Sequence, residues 1–252
     1  MNVTKRKRNN MMLSDKITTW IKDYANEHKM KTLVVGVSGG IDSAVVSTLC
    51  AKTELPVYAV SMPIAQMQEQ HDLSVAHGEW LTNKFMNVEH LIIDLDKVYD
   101  RFYLDMLNIN MDNELALANS KSRLRMVTLH HISGANRGLV VGTGNKVEDF
   151  GVGFYTKYGD GGVDISPIAD LYKSEVWDLG RELGVMQEII DAEPTDGLWE
   201  DGRTDKDQLG GLTYEQMEQA MKDPNSKYSN QYNKIRSQNL HKMNPIPVYK
   251  NE

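Results

Sequence analysis

An α/β fold built on a doubly wound parallel sheet, with helices gathered at the C-terminal end, is predicted by three features of the chain. Short valine-rich apolar runs alternate with helical segments through the first half. A turn rich in glycine and serine joins the first of those runs to the helix after it. Beyond Lys173 the pattern is almost wholly helical.

Taken in order, Ser14 is the expected N-cap of a first helix, with Ile17, Trp20, Ile21 and Tyr24 following at helical spacing. Residues 33–37 are apolar, valine-rich and too few for a helix, so they read as a buried parallel strand. Residues 43–49 form the helix after the glycine turn. Residues 57–62 are the second strand, about 69–85 the next helix, and 88–93 the third strand. A long helix over about 113–135 precedes a fourth strand at 139–141. Helices are then expected at 175–183, 214–221 and 225–241. Two loops, 151–162 and 196–211, are long enough to act as lids over a ligand.

The chain has 252 residues and reads as a basic N-terminal stretch, residues 1–13, followed by a single domain, 14–252. Its net charge is -7, so a broad phosphate-backbone footprint is not expected and no nucleic-acid partner is assigned. No apolar run is long enough for a signal peptide or a membrane span. The one cysteine, Cys50, lies in an apolar helical stretch and is expected to pack rather than react. A reducing, cytoplasmic setting follows as the expectation.

Gly36, Val37, Ser38, Gly39, Gly40, Ile41, Asp42 and Ser43 sit between the first strand and its helix. Two adjacent glycines and two serines there place several N–H groups and two hydroxyls around one point, at the positive end of a helix. That is an anion cradle, but not a P-loop, because no Gly-Lys-Ser/Thr follows. Asp42 would repel a phosphate unless a divalent cation lay between them. Ser38-Gly-Gly-Ile-Asp-Ser43 resembles the pyrophosphate loop of the N-type ATP pyrophosphatases, which split ATP between its α- and β-phosphates. That resemblance implies a Rossmann-like fold of the adenine nucleotide alpha-hydrolase type.

A second set of residues narrows the resemblance. Asn119-Ser-Lys-Ser-Arg-Leu-Arg-Met126, Gly142-Thr-Gly-Asn-Lys-Val-Glu148 and Phe154-Tyr-Thr-Lys-Tyr-Gly-Asp-Gly-Gly-Val-Asp164 resemble segments of the NAD synthetases, as do Ser166 to Lys173, Pro194-Thr195 and His241-Lys242. The resemblance spans roughly residues 14–248 and implies ATP contacts at residues 36–43, Thr143, Lys173 and Thr195. It implies magnesium ligands at Asp42 and Glu148. Contacts to deamido-NAD are implied at Arg123, Lys157, Asp164, His241 and Lys242. The bland alternatives are that Arg123 and Arg125 solvate a helix face, that Glu148 is a surface charge, that Lys157 and Asp164 pair within a loop, and that His241 is an ordinary helix-end residue. His130 and His131 are read as packing or surface residues, and no zinc is expected. Two departures from the family pattern stand out. Residues 148–154 are one residue longer than the commonest pattern, and Ser61 and Met67 stand near where many relatives carry arginine and glutamine.

The implied activity is an ammonia-dependent ligase, with Mg2+ as its metal and ATP as co-substrate. A carboxylate resists ammonia because it is already an anion with a poor leaving group, and a mixed anhydride with AMP removes that obstacle. ATP, deamido-NAD and ammonia would give NAD, AMP and pyrophosphate. Asp164 is the expected proton acceptor or ammonium contact, and Lys173 the group that neutralises departing pyrophosphate. The chain length leaves no room for a glutamine amidase domain, so free ammonia is expected. A homodimer is implied, with the helix over 113–135 as interface material. The alternative is another pyrophosphate-loop ligase or a tRNA-modifying enzyme.

Overall fold

The computed structural model describes residues 11–65, 67–199 and 201–251. The basic run at Lys5 to Arg8 therefore lies outside the described residues. Four parallel strands form one sheet in the order β3-β2-β1-β4: β1 (Thr32–Gly36), β2 (Val57–Ser61), β3 (Val88–Ile92) and β4 (Gly138–Val140). Val34 lies in register with Tyr58 on one side and Val140 on the other. The chain runs outward from β1 to β3 and then returns to the far side of β1. The carboxyl ends of β1 and β4 thus flank the point where strand order reverses, which is where such sheets bind ligands.

Helices α1 (Leu13–Glu27), α2 (Ile41–Lys52), α3 (Gln68–Lys84), α4 (Asp96–Asn108) and α5 (Glu114–Ala135) alternate with the strands. On one face of the sheet Leu33 and Val35 pack with Ile21, Val45 and Leu49, and with Val176 and Leu179 of α6 (Lys173–Leu183). On the other face Val34 and Val60 meet Tyr99 of α4 and Leu124, Leu129 and Ile132 of α5. Leu33 and Leu49 are wholly buried, and truncating either to Ala would cost about 2–5 kcal/mol.

After α7 (Gln187–Asp191) come α8 (Asp205–Gln208), α9 (Tyr214–Lys222) and α10 (Ser229–Met243). Leu209, Leu212, Tyr214, Met217 and Tyr232 from this region pack on Val147 and Val152, which belong to the segment carrying Glu148. The helical C-terminal region therefore acts as a buttress for the site.

Several sequence expectations change in detail. The first helix begins at Leu13 with Met12 at its cap, and Ser14 is buried inside the first turn, where its hydroxyl accepts from Lys52 Nζ at 3.3 Å. The helix α4 was not anticipated. The last helix starts at Ser229 rather than 225, because Pro224 and the backbone turn Ser226 N–H to Asp223 C=O at 3.0 Å occupy its expected first turn. The loop over 196–211 contains the short α8, capped by Thr204 and Asp207.

Candidate active site

The glycine turn folds into a closed cradle at the end of β1. Ser43 Oγ accepts from the Ser38 N–H at 3.1 Å and donates to the Gly40 carbonyl at 3.0 Å. Ser38 Oγ accepts from the Gly40 N–H at 3.3 Å. Gly39 has φ +86°, and a Cβ there would lie 2.7 Å from the Gln70 carbonyl oxygen, so both conformation and space require glycine. From the side of α3, Ser74 Oγ donates to the Val37 carbonyl at 2.9 Å and anchors the loop.

Asp42 lies in the first turn of α2, and Glu148 opens a π-helical turn (Glu148–Val152). Lys173, the first residue of α6, joins them: its Nζ donates to Asp42 Oδ2 at 2.5 Å and Glu148 Oε1 at 2.7 Å. Its side chain is only 3% exposed, against 17% and 14% for the two carboxylates. Asn145 orders the group by donating to Asp42 Oδ1 at 3.1 Å while its own oxygen accepts the N–H groups of Val147 and Glu148. Burial raises both carboxyls and Lys173 pulls them down; Asp42 ends above its ordinary value and Glu148 below. Burial would lower the Lys173 ammonium, but Asp42 and Glu148 outweigh it and hold the group firmly protonated.

Two carboxylates converging on one buried positive charge offer part of the oxygen set that a small hard metal requires. Among the described residues no cluster of three or more His, Cys, Asp or Glu could hold a metal unaided. Phosphate oxygens held in the adjacent cradle would complete the coordination. Asp42 and Glu148 fit magnesium on those terms.

These groups share one cavity of about 390 Å³, within the size range of small-molecule sites. Of the residues singled out in the sequence, it is lined by 36–43, Thr143, Glu148, Lys173, Thr195 and Lys242. Lys242 is held there by donating to the Tyr155 carbonyl at 2.6 Å. Arg123, Lys157, Asp164 and His241 do not line it. Arg123 is exposed, with Nε donating to the Lys157 carbonyl at 3.3 Å. Asp164 accepts from the Val140 N–H at 2.7 Å and so pins the end of β4 from outside the cavity.

The cavity also gathers Asn119, Arg125, Asp149, Asp160, Asp196 and Trp199, none assigned from sequence. Asp160 lay in plain view inside the Lys157-Tyr-Gly-Asp160 run. Its Oδ1 accepts from Ser122 Oγ at 2.7 Å and the Thr156 N–H at 2.9 Å, folding the glycine-rich lid back onto α5. Asp149 lies over Gly144, where any Cβ would strike its carboxylate. Burial, with Asp160, Glu148 and Asp42 nearby, raises the Asp149 carboxyl well above its usual range. Cys50 is buried and its thiol is pushed up by burial, which suits packing and not nucleophilic attack. His130 bonds the Gly162 carbonyl at 2.9 Å and serves as packing.

The sequence model of the NAD synthase family matches residues 13–250. The chain belongs to the NAD synthase family. The NH(3)-dependent NAD(+) synthetase of Carboxydothermus hydrogenoformans is 37% identical over 207 residues, 81% of this chain and 82% of its own. That of Finegoldia magna is 34% identical over 233 residues, 91% and 92% of the two chains. Among solved structures, an NMN synthetase from Francisella tularensis superposes with a TM-score of 0.85 at 31% identity, covering 94% of this chain and 97% of its own. The NH3-dependent NAD synthetase from Campylobacter jejuni gives 0.72 at 26% identity with the same coverage.

The segment after Glu148 and the site of Ser61 each have a distinct local structure. The segment after Glu148 contains the π-turn, whose wide bond runs from the Val152 N–H to the Val147 carbonyl at 3.0 Å. A π-turn takes up one more residue than an α-turn, and such bulges concentrate at functional sites. Ser61 is wholly buried and bonded to Ser74 Oγ at 2.5 Å and His90 Nε2 at 2.8 Å. It is committed to the interior and does not reach the cavity.

Proposed function

We propose that this NAD synthase family member amidates deamido-NAD with ammonia, consuming ATP and releasing NAD, AMP and pyrophosphate. One observation carries the chemistry: a phosphate cradle without a P-loop lysine, whose cation instead comes from Lys173 between Asp42 and Glu148. The cradle of residues 36–43 holds the ATP phosphates through backbone N–H groups, Ser38 and Ser43. Asp42 and Glu148 hold Mg2+, which when bound neutralises phosphate charge and orients the triphosphate. Lys173 donates to the oxygens of the departing pyrophosphate as the nicotinate carboxylate attacks the α-phosphorus. Thr143 and Thr195, which line the same cavity, supply further ATP contacts. Ammonia then displaces AMP from the acyl adenylate, while the lid over 151–162 keeps water out.

Lys242 reaches the cavity directly and supports a deamido-NAD contact there. Arg123, Lys157, Asp164 and His241, which do not line the cavity, are further deamido-NAD contacts, and Asp164 is also the proton acceptor or ammonium contact. A homodimer accounts for that arrangement, each subunit completing its partner's dinucleotide site. Exposed apolar side chains on α4 and α5 favour it, among them Leu104 at 52%, Leu115 at 60% and Val127 at 58%. The proposal takes residues 14–252 as one catalytic domain, in a cytoplasmic enzyme; among the described residues no helix is long and apolar enough to cross a membrane.

The likeness to an NMN synthetase, with the larger of the two TM-scores, favours a second reading in which the deamidated mononucleotide is the acceptor. The activity and ATP arms of both readings are the same. Parallel assays with deamido-NAD and nicotinate mononucleotide, each with ATP, Mg2+ and ammonium, decide between them by comparing kcat/KM. A ratio above unity for deamido-NAD supports the first reading, and the reverse supports the second.

A further inference from the structure

The end of β2 poses a question of recognition that Ser61 does not answer, because its hydroxyl is spent on Ser74 and His90 inside the protein. The cation at this end of the cavity comes from α5. Arg125 Nε donates to the carbonyl of Met62, one residue beyond Ser61, at 3.0 Å. Its Nη2 is buried and has no hydrogen-bond partner among the described residues. A buried donor without an acceptor is costly, and a ligand that supplies the acceptor recovers that cost.

The surroundings indicate which part of a ligand lies there. A Cβ on Gly36 would sit 3.5 Å from Leu129 Cδ1 and 3.6 Å from Met62 Cε, so the end of β1 opens on two apolar walls. The first of the cradle's two serines, Ser38, lies two residues further on. A nucleotide with its phosphates in the cradle therefore lays its flat, weakly polar base on this surface. Arg125 lines the same cavity. Burial lowers its guanidinium to about 10 against the pull of Asp196 and Asp160, so it stays charged at neutral pH and can only donate.

We infer that Arg125 reads the purine of ATP, its Nη2 donating a hydrogen bond to a ring nitrogen of the adenine. The inference rests on the reading of the cavity as an ATP site and assigns a contact to a residue outside the cradle. Each ring acceptor of adenine can be removed singly by replacing N with C–H, which tests the bond from the ligand side.

The experiment measures binding of ATP and of 1-deaza-, 3-deaza- and 7-deaza-ATP, with Mg2+, to the wild-type chain and to Arg125→Met and Arg125→Lys. One analogue should bind the wild type about tenfold more weakly than ATP, the usual effect of a lost bond to a charged donor. In Arg125→Met, ATP should weaken by a similar factor and that analogue should bind as well as ATP. A general structural defect would lower all four ligands together and leave the deaza penalty in place, which overturns the inference. Equal binding of all four ligands to the wild type overturns it as well. Arg125→Lys keeps the charge and shortens the reach, so it decides the matter if the methionine variant does not fold. Absence of ATP binding in the wild type would overturn the ATP-site reading itself, a result distinct from ATP binding that ignores Arg125.

Discussion

His77, on the buried side of α3, is wholly buried, with Nε2 bonded to Ser47 Oγ of α2 at 2.9 Å and its ring stacked on Trp80. Burial, and secondarily the charge of His90, lowers it to about 4 from an ordinary 6.5. The unfolded chain therefore takes up a proton near pH 6.5 that the folded chain refuses. Stability should be full above pH 6.5 and fall progressively down to about pH 4, by about 3 kcal/mol from this group. Urea unfolding at pH 7.5 and 4.5 should show a smaller loss in His77→Gln than in the wild type; equal losses would refute the assignment. Lys173→Met should lower kcat by about 10²–10³-fold, the scale of losing one charge-stabilising donor. Steady-state kinetics at saturating ATP and Mg2+ check this, and near-normal turnover would confine Lys173 to a structural role. Asp42 and Lys173 were legible from sequence because a short motif and the family resemblance point to them. Arg125 was not. It stands two positions from Arg123, about 200° around a helix, and which of the two meets the cavity depends on how α5 packs on the sheet.

The strands, the cradle and the long α5 were legible because each is a contiguous signal: short valine-rich runs, a glycine turn, an extended helical pattern. Helix α4 was overlooked although its sequence is amphipathic; Tyr99 is its one buried residue, and Val98, Leu104 and Leu107 stay exposed. The π-turn escaped because one added residue in a helical stretch leaves no compositional mark, although the extra length itself was visible. In the cradle, Gly39→Ala must fit a Cβ against the Gln70 carbonyl at a φ that disfavours alanine. ATP binding measured by calorimetry should weaken at least about tenfold with the far-ultraviolet spectrum unchanged; unaltered affinity would show that the loop moves freely. The lid is the other element with a testable motion. Lys157 lies on it, partly exposed and flanked by Gly153, Gly159, Gly161 and Gly162. Tryptic cleavage after Lys157 should be slowed by ATP and deamido-NAD together more than by ATP alone. Equal protection by ATP alone would separate lid closure from dinucleotide binding.

At the scale of the molecule, a sheet whose strand order reverses beside β1 brings segments more than a hundred residues apart into one cavity, with α8–α10 bracing the Glu148 segment from behind. The apolar face on α4 and α5 should be an interface between two copies of the chain. Leu104→Lys combined with Val127→Lys should convert a dimer to monomers in sedimentation and weaken deamido-NAD binding; an unchanged dimer would place the interface elsewhere. The most direct test of the account is product stoichiometry. The purified protein is supplied with ATP, Mg2+, ammonium and deamido-NAD, and all nucleotides are resolved by chromatography. The account predicts one AMP and one pyrophosphate for each NAD formed, with no NAD when ATP is omitted. Release of ADP and phosphate in step with NAD, or no amide product from either deamido-NAD or nicotinate mononucleotide, would contradict it.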